Sequence, residues 1–428
     1  MDKISEEFSN SAFSATSFAD KAVQRFIEVY EKLPKSGKPT AEEFTVLAGI
    51  LLFQRSTGYM EVVSIATGTK CIGGSKLLAK GSVVHDSHAE ILARRGLLIY
   101  LYETIKRTLK GEITMFKLGD NKLELSSDYE FHFFSSQLPC GDACIMPKDE
   151  DFEFIGMPVL TENQTTLKNK RKAENDISNI NSKEPRLAPD IQRTGAKCLP
   201  HCEQDTREPG TKYHLLGQVR TKPGRGERTL SVSCSDKISK WINLGIQGSL
   251  LGILLKKPIY LKSIIIGGGV PYNQESLERA LLLRNPNFKI ENVPILEQSS
   301  VVFPYIKSNL RHRAGPASIV WVNLKESFTE VGTNGIRLGL SKKFLGDVKK
   351  SLQVSKYYTY NRFVQLLLLY KKETLKEMIG VESVQTIPYY EMKRKNKEYY
   401  DKWAVVKKDF FKTWTMKPDI WDFCASIQ

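Results

Sequence analysis

The sequence predicts an α/β protein in which helices cover a mixed sheet, and three segments indicate this class. Residues 86–99 carry apolar side chains at helical spacing. Residues 129–136 have the composition of a strand, and they run into a Pro/Gly turn that favours a second helix start. Residues 229–237 form a short strand that enters another helix. Repeated passages from strand to helix are typical of an α/β fold.

Composition indicates a globular protein with a basic surface. The 428 residues are 41% hydrophobic and 26% charged, and the net charge is +15. This charge indicates a polyanionic partner, and a basic protein that is merely soluble is the alternative. There is neither an apolar run of about eighteen residues nor a signal-peptide core, so no membrane association is expected. Seven cysteines without disulfide-like spacing indicate a reducing compartment, the cytoplasm or the nucleus.

Three elements are expected before residue 86. Residues 20–33 form an amphipathic helix that Pro34 ends. A second helix is expected over residues 41–50, because Thr40 and Glu43 fit a capping box. Residues 61–66 alternate as a strand and lead into the turn at residues 67–70.

His88 and Glu90 lie two positions apart at the start of the helix predicted over residues 86–99. Free backbone N–H groups and the positive end of the helix dipole stabilise negative charge there. An H-x-E triplet followed by Pro-Cys, here Pro139-Cys140, is the signature of zinc nucleobase deaminases. The triplet alone is weak evidence, since a partly exposed His beside a solvated Glu gives the same pattern.

A catalytic zinc site needs a third protein ligand and one open position. Cys144 lies four positions after Cys140, so the Cys-x-x-Cys pattern fails, and Cys234, where a short strand enters a helix, is the better candidate. Cys198 and Cys202 flank His201 and could indicate a second metal site, but a fourth ligand is missing nearby.

Residues 233–237, Trp241 and residues 245–251 resemble the third zinc motif of the adenosine deaminases that act on RNA. The resemblance runs from about Val46 to Asp422 and rests on three motifs in the right order. It implies a cytidine-deaminase-like α/β/α sandwich with a mixed sheet, built as a single deaminase domain over residues 1–428. Members of the family whose whole chain is a deaminase domain are tRNA-specific.

The resemblance also implies the roles of the site residues. His88, Cys140 and Cys234 would hold zinc, with a water in the fourth position whose pKa the metal lowers. Glu90 would carry protons as adenosine becomes inosine. Thr69 and Lys70 match the positions that lie near the ribose and near a backbone phosphate; a surface turn at a strand end is the alternative for this segment.

The basic carboxy-terminal third resembles the part of the family that encloses inositol hexakisphosphate, together with some added helical structure. Six phosphates need many cationic donors, which would otherwise repel one another in a buried site. The alternative is a solvated or RNA-contacting basic face. The matching positions are Arg94, Arg95, Lys237, Lys240, Trp241, Gln247, Lys356, Tyr389, Lys393, Tyr399, Trp414, Lys417 and Asp422. The family's usual lysine after the tyrosine is displaced to Lys402 or lost to Trp403.

The expected substrate is an adenosine that is already unpaired. Residues 217–226 form a basic, glycine-rich loop that suits a phosphate backbone. In duplex-editing relatives this loop carries a side chain that fills the space of the flipped base, whereas Pro223 and Gly224 stand near that place here. Cys144 also replaces an arginine of those relatives. The resemblance therefore points to tRNA-Ala, at the adenosine immediately 3′ of the anticodon.

Residues 161–192 have few apolar anchors and predict a disordered insertion, whose basic run at 168–172 could serve nuclear import, RNA contact or only solvation.

Three other functions are compatible with parts of the sequence. A cytidine deaminase would place its last cysteine close to Cys140, and an inactive RNA-binding module would have lost one of the four site residues. A double-stranded RNA adenosine deaminase is the third. No obligate protein partner is evident.

Overall fold

The computed structural model describes residues 16–76, 79–148, 190–223, 228–326, 328–344, 346–416 and 422–426. Several predictions lie outside these ranges: most of the insertion expected over 161–192, the basic run at 168–172, and the positions of Gly224 and Lys417. Residues 190–192 are described, and Ile191 forms an isolated bridge with Pro147.

Eight strands of the described chain form one mixed sheet, which confirms the mixed α/β prediction. In chain order they are β1 (Leu47–Gln54), β2 (Tyr59–Thr67), β3 (Tyr129–Ser135), β4 (Leu261–Gly268), β5 (Ile295–Val302), β6 (Ala317–Val322), β7 (Phe328–Thr333) and β8 (Ile336–Arg337). Their spatial order is β5-β4-β3-β1-β2-β6-β7-β8. Strand β4 runs parallel to β3 and β5, and the remaining neighbours are antiparallel.

The helices lie on both faces of this sheet. They are α1 (Phe18–Lys32), α2 (Ala89–Leu109), α3 (Cys234–Leu244), α4 (Gly248–Leu254), α5 (Gln274–Leu281), α6 (Lys356–Leu367), α7 (Lys372–Ile379), α8 (Tyr389–Arg394) and α9 (Lys397–Val405). None of those described combines the length and apolar character that a membrane crossing needs. Short strands of two to five residues also pair outside the main sheet, at 43–44 with 313–314, 69–71 with 86–88, and 116–118 with 123–125. A further strand at 220–223 lies between 197–198 and 228–232 and pairs with both.

Helix α1 covers one face of the sheet because its apolar side chains recur at helical spacing. Phe26 is fully buried and stacks on Phe134 of β3, with ring centroids 5.0 Å apart. Gly49 of β1 makes room, since a Cβ there would lie 2.4 Å from the Phe26 ring. The opposite face packs against α2, α3, α4 and α6 through a larger apolar cluster. Alternate residues of the strands serve the two faces, as the period of a pleated strand requires.

The helix predicted over residues 41–50 is wrong. Half of the expected capping box forms, as the Thr40 N–H donates to Glu43 Oε2 over 3.0 Å, but Glu43 and Phe44 pair with residues 313–314. Residues 47–52 are buried on both faces as part of β1. A continuous apolar run fits a central strand as well as a helix, and periodicity alone does not separate the two.

Candidate active site

His88 is placed by a short antiparallel strand pair at the end of β2. Residues 69–71 pair with residues 86–88, so Thr69 lies directly opposite His88. Gly68 permits this close approach: its φ is +145°, and a Cβ there would lie 2.1 Å from the Ser87 carbonyl oxygen. His88 immediately precedes α2, which places Glu90 in the first turn of that helix.

Cys140 and Cys234 come from two segments in contact. Gly141 has a φ of +110°, and a Cβ on it would lie 2.2 Å from Ser233 Oγ, so only glycine allows the segments to meet. Cys234 is the first residue of α3, whose start Ser233 caps by accepting from the Asp236 N–H. The helix expected after Cys140 is only a three-residue 3₁₀ turn, at Asp142–Cys144.

The three predicted ligands converge. His88 Nδ1 lies 3.7 Å from Cys140 Sγ and 3.6 Å from Cys234 Sγ, and all three ligand atoms lie within 4.8 Å of one another. Tetrahedral zinc with bonds of about 2.3 Å to sulfur and 2.0 Å to nitrogen separates those atoms by about 3.6 Å. The donor set therefore fits zinc. In the described part of the chain it is the one group of at least three such side chains so arranged.

Glu90 is buried beside these donors, with 3% of its surface exposed. Its Oε2 has no hydrogen-bond partner among the described residues, and burial raises the pKa of the carboxyl. A buried carboxylate oxygen without a partner is costly unless something else occupies the site. Thr69 Oγ1, across from His88, is likewise buried and without a hydrogen-bond partner in the described structure. Lys70 is half-buried in the same strand.

Two residues that the sequence did not reveal lie directly behind the ligands. The Lys222 ammonium contacts both Asp86 carboxylate oxygens, at 2.9 and 2.8 Å, and Cys234 Sγ at 3.0 Å. Burial alone would lower the pKa of Lys222, but Asp86 and the two thiols raise it well above its usual value. Lys237 and Ser231 also donate to Asp86. A charge network therefore holds the Cys234 sulfur.

The prediction that residues 217–226 contact a phosphate backbone is wrong for the two cations of this segment that are fully buried. Arg220 is 0% exposed and forms a bidentate pair with Asp205, at 2.6 and 2.7 Å, while Lys222 is 1% exposed. Alternation in the short strand at residues 220–223 turns both side chains inward. The alternating Arg-Thr-Lys pattern was the available signal, but basic residues in a glycine-rich segment are usually solvated.

Two arginines, one within α5 and one just after it, form ion pairs with the two segments that carry the cysteines. Arg279 donates to the buried Asp142 carboxylate at 3.1 Å and to the Ile145 carbonyl at 2.6 Å. Arg284 pairs with Asp236 at 2.5 Å. Each aspartate lies two positions after a cysteine, so these pairs set where the cysteines sit.

A second cavity, of about 290 Å³, lies behind the metal-ligand candidates. Of the positions proposed for inositol phosphate that the structure describes, all except Asp422 line it; they are Arg94, Arg95, Lys237, Lys240, Trp241, Gln247, Lys356, Tyr389, Lys393, Tyr399 and Trp414. Asp422 instead accepts from the Tyr390 N–H at 3.0 Å and so fixes the start of α8. Lys402 pairs with Glu291 at 2.7 Å and belongs to another surface.

The cavity concentrates positive charge. Burial, followed by Lys393 and Arg94, lowers the pKa of Lys240 well below its usual value. The Lys240 ammonium lies 3.4 Å from the centre of the Trp403 ring. Because Lys237 lines this cavity and also donates to Asp86, a hydrogen-bonded chain through Lys222 joins the cavity to Cys234.

The other cysteine candidates have different partners. Cys198 Sγ donates to Asp205, and His201 Nε2 lies 3.1 Å from Thr413 Oγ1. Cys144 Sγ donates to the carbonyls of Leu138 and Pro139. Burial raises the pKa of the Cys144 thiol.

The residues of the candidate active site lie within a region that matches a known protein family. A family model described as the adenosine-deaminase (editase) domain matches residues 64–418. The chain is 35% identical over 408 residues to a tRNA-specific adenosine deaminase 1 of Drosophila melanogaster, covering 93% of this chain and 94% of the relative. The corresponding Homo sapiens protein is 33% identical over 497 residues, covering 94% and 98%. A double-stranded RNA-specific adenosine deaminase of Mus musculus is 31% identical over 281 residues, covering 63% of this chain and 21% of the relative.

Proposed function

The chain belongs to the adenosine-deaminase (editase) domain family, and from that premise we propose that it is an enzyme that deaminates adenosine to inosine in tRNA. The observation that carries the proposal is the convergence of His88, Cys140 and Cys234 beside the buried Glu90. The relatives matched over nearly their whole length are named as tRNA-specific, whereas the duplex-specific relative is covered over only 21% of its length.

We propose that His88 Nδ1 and the two thiolates hold zinc, because their separations fit its tetrahedral geometry. Bound zinc would supply Lewis-acid activation of a water molecule. Glu90 takes a proton from the attacking water and delivers protons to the adenine ring nitrogen and the 6-amino group. The C6–N bond breaks, ammonia leaves, and the water oxygen becomes O6 of inosine.

Thr69 and Lys70 are proposed to position the substrate. Thr69 lies opposite His88 with a buried hydroxyl that has no hydrogen-bond partner among the described residues, which suits a ribose contact. Lys70, the next residue, supplies charge for a phosphate. Pro223 stands near the position where duplex-editing relatives carry a side chain that fills the space of the flipped base. A proline there favours an adenosine that is already unpaired and does not have to be extruded from a duplex. The adenosine 3′ of the anticodon in tRNA-Ala is the proposed site.

Inositol hexakisphosphate is the proposed occupant of the second cavity. Arg94, Arg95, Lys237, Lys240 and Lys393 share its lining. Burial, and after it the charges of Lys393 and Arg94, lowers the pKa of Lys240, and a polyanion would neutralise those charges. A single deaminase domain over residues 1–428, a cytoplasmic or nuclear location and independence from a protein partner remain our predictions from the sequence.

The test is nucleoside mass spectrometry of tRNA incubated with purified protein, alongside Glu90→Gln. Wild type should form inosine, while Glu90→Gln should bind an equal amount of zinc and form none, because the amide cannot carry the proton. Glu61→Gln is the matched control, since Glu61 is a half-buried glutamate away from the zinc ligands, and it accepts hydrogen bonds from Tyr100 and Asn323. Inosine formation by Glu90→Gln at the wild-type rate would refute its assigned role, and zinc-loaded wild type without inosine would refute the function.

A further inference from the structure

The segment that links β8 to α6 carries exposed positive charge around an exposed aromatic ring. Lys343, Lys349 and Lys350 are exposed, and none has an ion-pair partner among the described residues. The ammonium groups of Lys343 and Lys350 lie 4.9 and 5.9 Å from the centre of the Phe344 ring, which is 36% exposed. The one carboxylate in this segment, Asp347, accepts from the Lys349 backbone N–H. The charge of the three lysines is therefore available to a partner.

A cavity of about 660 Å³ lies between this segment and the outer face of α6. Lys349, Gln353, Tyr358, Asn361, Arg362 and Gln365 contribute its polar lining. The lining is separate from the inositol phosphate candidates, because Lys356 and Thr359 of α6 line that other cavity. Lys349, which lines the 660 Å³ cavity, is followed directly by Lys350, one of the two lysines near the Phe344 ring.

Arg362 forms the cationic wall of this cavity. One terminal nitrogen donates to Gln353 Oε1 at 2.5 Å, whereas Nε is buried without a hydrogen-bond partner in the described structure. Burial lowers the pKa of Arg362, against the opposing effect of Glu103 and Glu330. Glu330 is itself bonded to Arg337 and to the Gln353 N–H. A buried, unused guanidinium donor calls for an acceptor from outside the protein.

The chemistry of the lining favours a phosphate group. A guanidinium and an ammonium that line the same cavity present charged donors to a tetrahedral anion, and the amides and phenol add neutral donors. An exposed aromatic ring flanked by lysines is the combination that binds nucleic acid through base stacking and backbone charge. Together these features fit a phosphodiester of RNA better than a free anion, which would use the cavity alone.

The location agrees with this partner. The turn between β7 and β8 lies against the segment that leads to His88, since the Val84 N–H donates to the Gly335 carbonyl at 2.9 Å. The basic segment therefore leaves the sheet at the end that carries the candidate active site. An RNA held at that site would therefore lie at the same end of the sheet as the start of the basic segment.

We propose that Arg362 and Lys349 bind a backbone phosphate of the RNA substrate, outside the deaminated nucleotide, with Lys343, Phe344 and Lys350 as the adjoining surface. This inference rests on the proposed tRNA deamination. The cavity would then be an RNA contact formed by residues outside the three zinc motifs.

The test measures tRNA-Ala transcript binding as a function of salt, with full-length protein in the Glu90→Gln background so that no turnover occurs. Arg362→Gln and Lys349→Ala should each lower the slope of log Kd against log salt by about 1, and weaken binding roughly threefold or more at low salt. Arg362→Lys should recover part of the loss. Lys372→Ala, an exposed lysine on α7, is the control and should leave the slope unchanged. With active protein, the same variants should raise KM and leave kcat unchanged.

Unchanged slopes for both variants would overturn the proposal, as would an equal loss in Lys372→Ala. Retained RNA affinity with loss of an acidic protein partner would overturn it in favour of a protein surface. Lys349→Ala removes an exposed side chain, so it tests the idea even where Arg362→Gln unfolds. A failure of the proposed function can be told apart from a failure of this inference, because wild-type protein would then form no inosine, whatever the slopes of log Kd against log salt.

Discussion

Replacing Lys222 by Met tests the charge network behind the metal-ligand candidates. The substitution keeps the apolar stem and removes an ammonium that contacts Asp86 at 2.8 Å and Cys234 Sγ at 3.0 Å. The side chain is 1% exposed, so water does not replace these contacts. The Asp86 carboxylate would keep Lys237 and Ser231 as partners.

The expected cost follows from burial. Removing one partner of a buried ion pair destabilises a protein by about 3–5 kcal/mol, and the two remaining partners of Asp86 favour the lower end, about 3 kcal/mol. Removing a hydrogen bond to a metal ligand lowers metal affinity by about 10–100-fold. Lys222→Met should therefore lose both stability without metal and affinity for zinc.

Two measurements separate these effects. Urea unfolding in the presence of a chelator gives the free energy of unfolding without zinc, and competition with a chelating dye gives zinc affinity. Lys197→Met is the matched control, because Lys197 is exposed on the strand that pairs with residues 220–221. A Lys222→Met protein within about 1 kcal/mol of wild type, with unchanged zinc affinity, would refute this reasoning.

Three further predictions concern packing, pH and the second cavity. Gly141→Ala should lower the melting temperature and zinc content more than Gly58→Ala, because both have positive φ but only the Gly141 Cβ would strike a neighbour, Ser233 Oγ at 2.2 Å; equal effects would contradict this. Burial lowers the pKa of His132 to about 4. Below pH of about 6.5 the unfolded chain binds a proton at this position that the folded chain excludes, so stability should fall by about 3 kcal/mol between pH 6.5 and 4 and stay level above it. His132→Asn should flatten that fall in urea titrations, and parallel curves for the two proteins would contradict the assignment. Lys240→Glu should abolish the inositol hexakisphosphate released on denaturation and detected by mass spectrometry, whereas Lys372→Glu should not; equal recovery from both would contradict the proposed occupant.

Most of the site residues that the sequence predicted were found from short local motifs. His88, Glu90 and Cys140 stand in short, recognisable patterns, and the strand at 129–135 follows from its own composition. Cys234 stands in no short ligand motif; it was chosen because a short strand enters a helix there, and the resemblance to the deaminase family then assigned it the role of third ligand. The comparisons confirm that family.

What the sequence missed depends on packing between distant segments. The Asp86–Lys222 pair spans 136 positions, and neither residue lies in a metal motif. The short turn after Cys140 is held by Arg279 of α5, so local propensity did not decide its length. Strand β1 was mistaken for a helix because a run buried on both faces carries no alternation.

The most direct test of the account compares an unmodified tRNA-Ala transcript with a perfect RNA duplex, each incubated with zinc-loaded protein and then sequenced for adenosine-to-guanosine changes. We expect inosine at the adenosine immediately 3′ of the anticodon and none in the duplex. Inosine in the duplex would contradict the proposed substrate, and inosine in neither RNA would contradict the proposed activity.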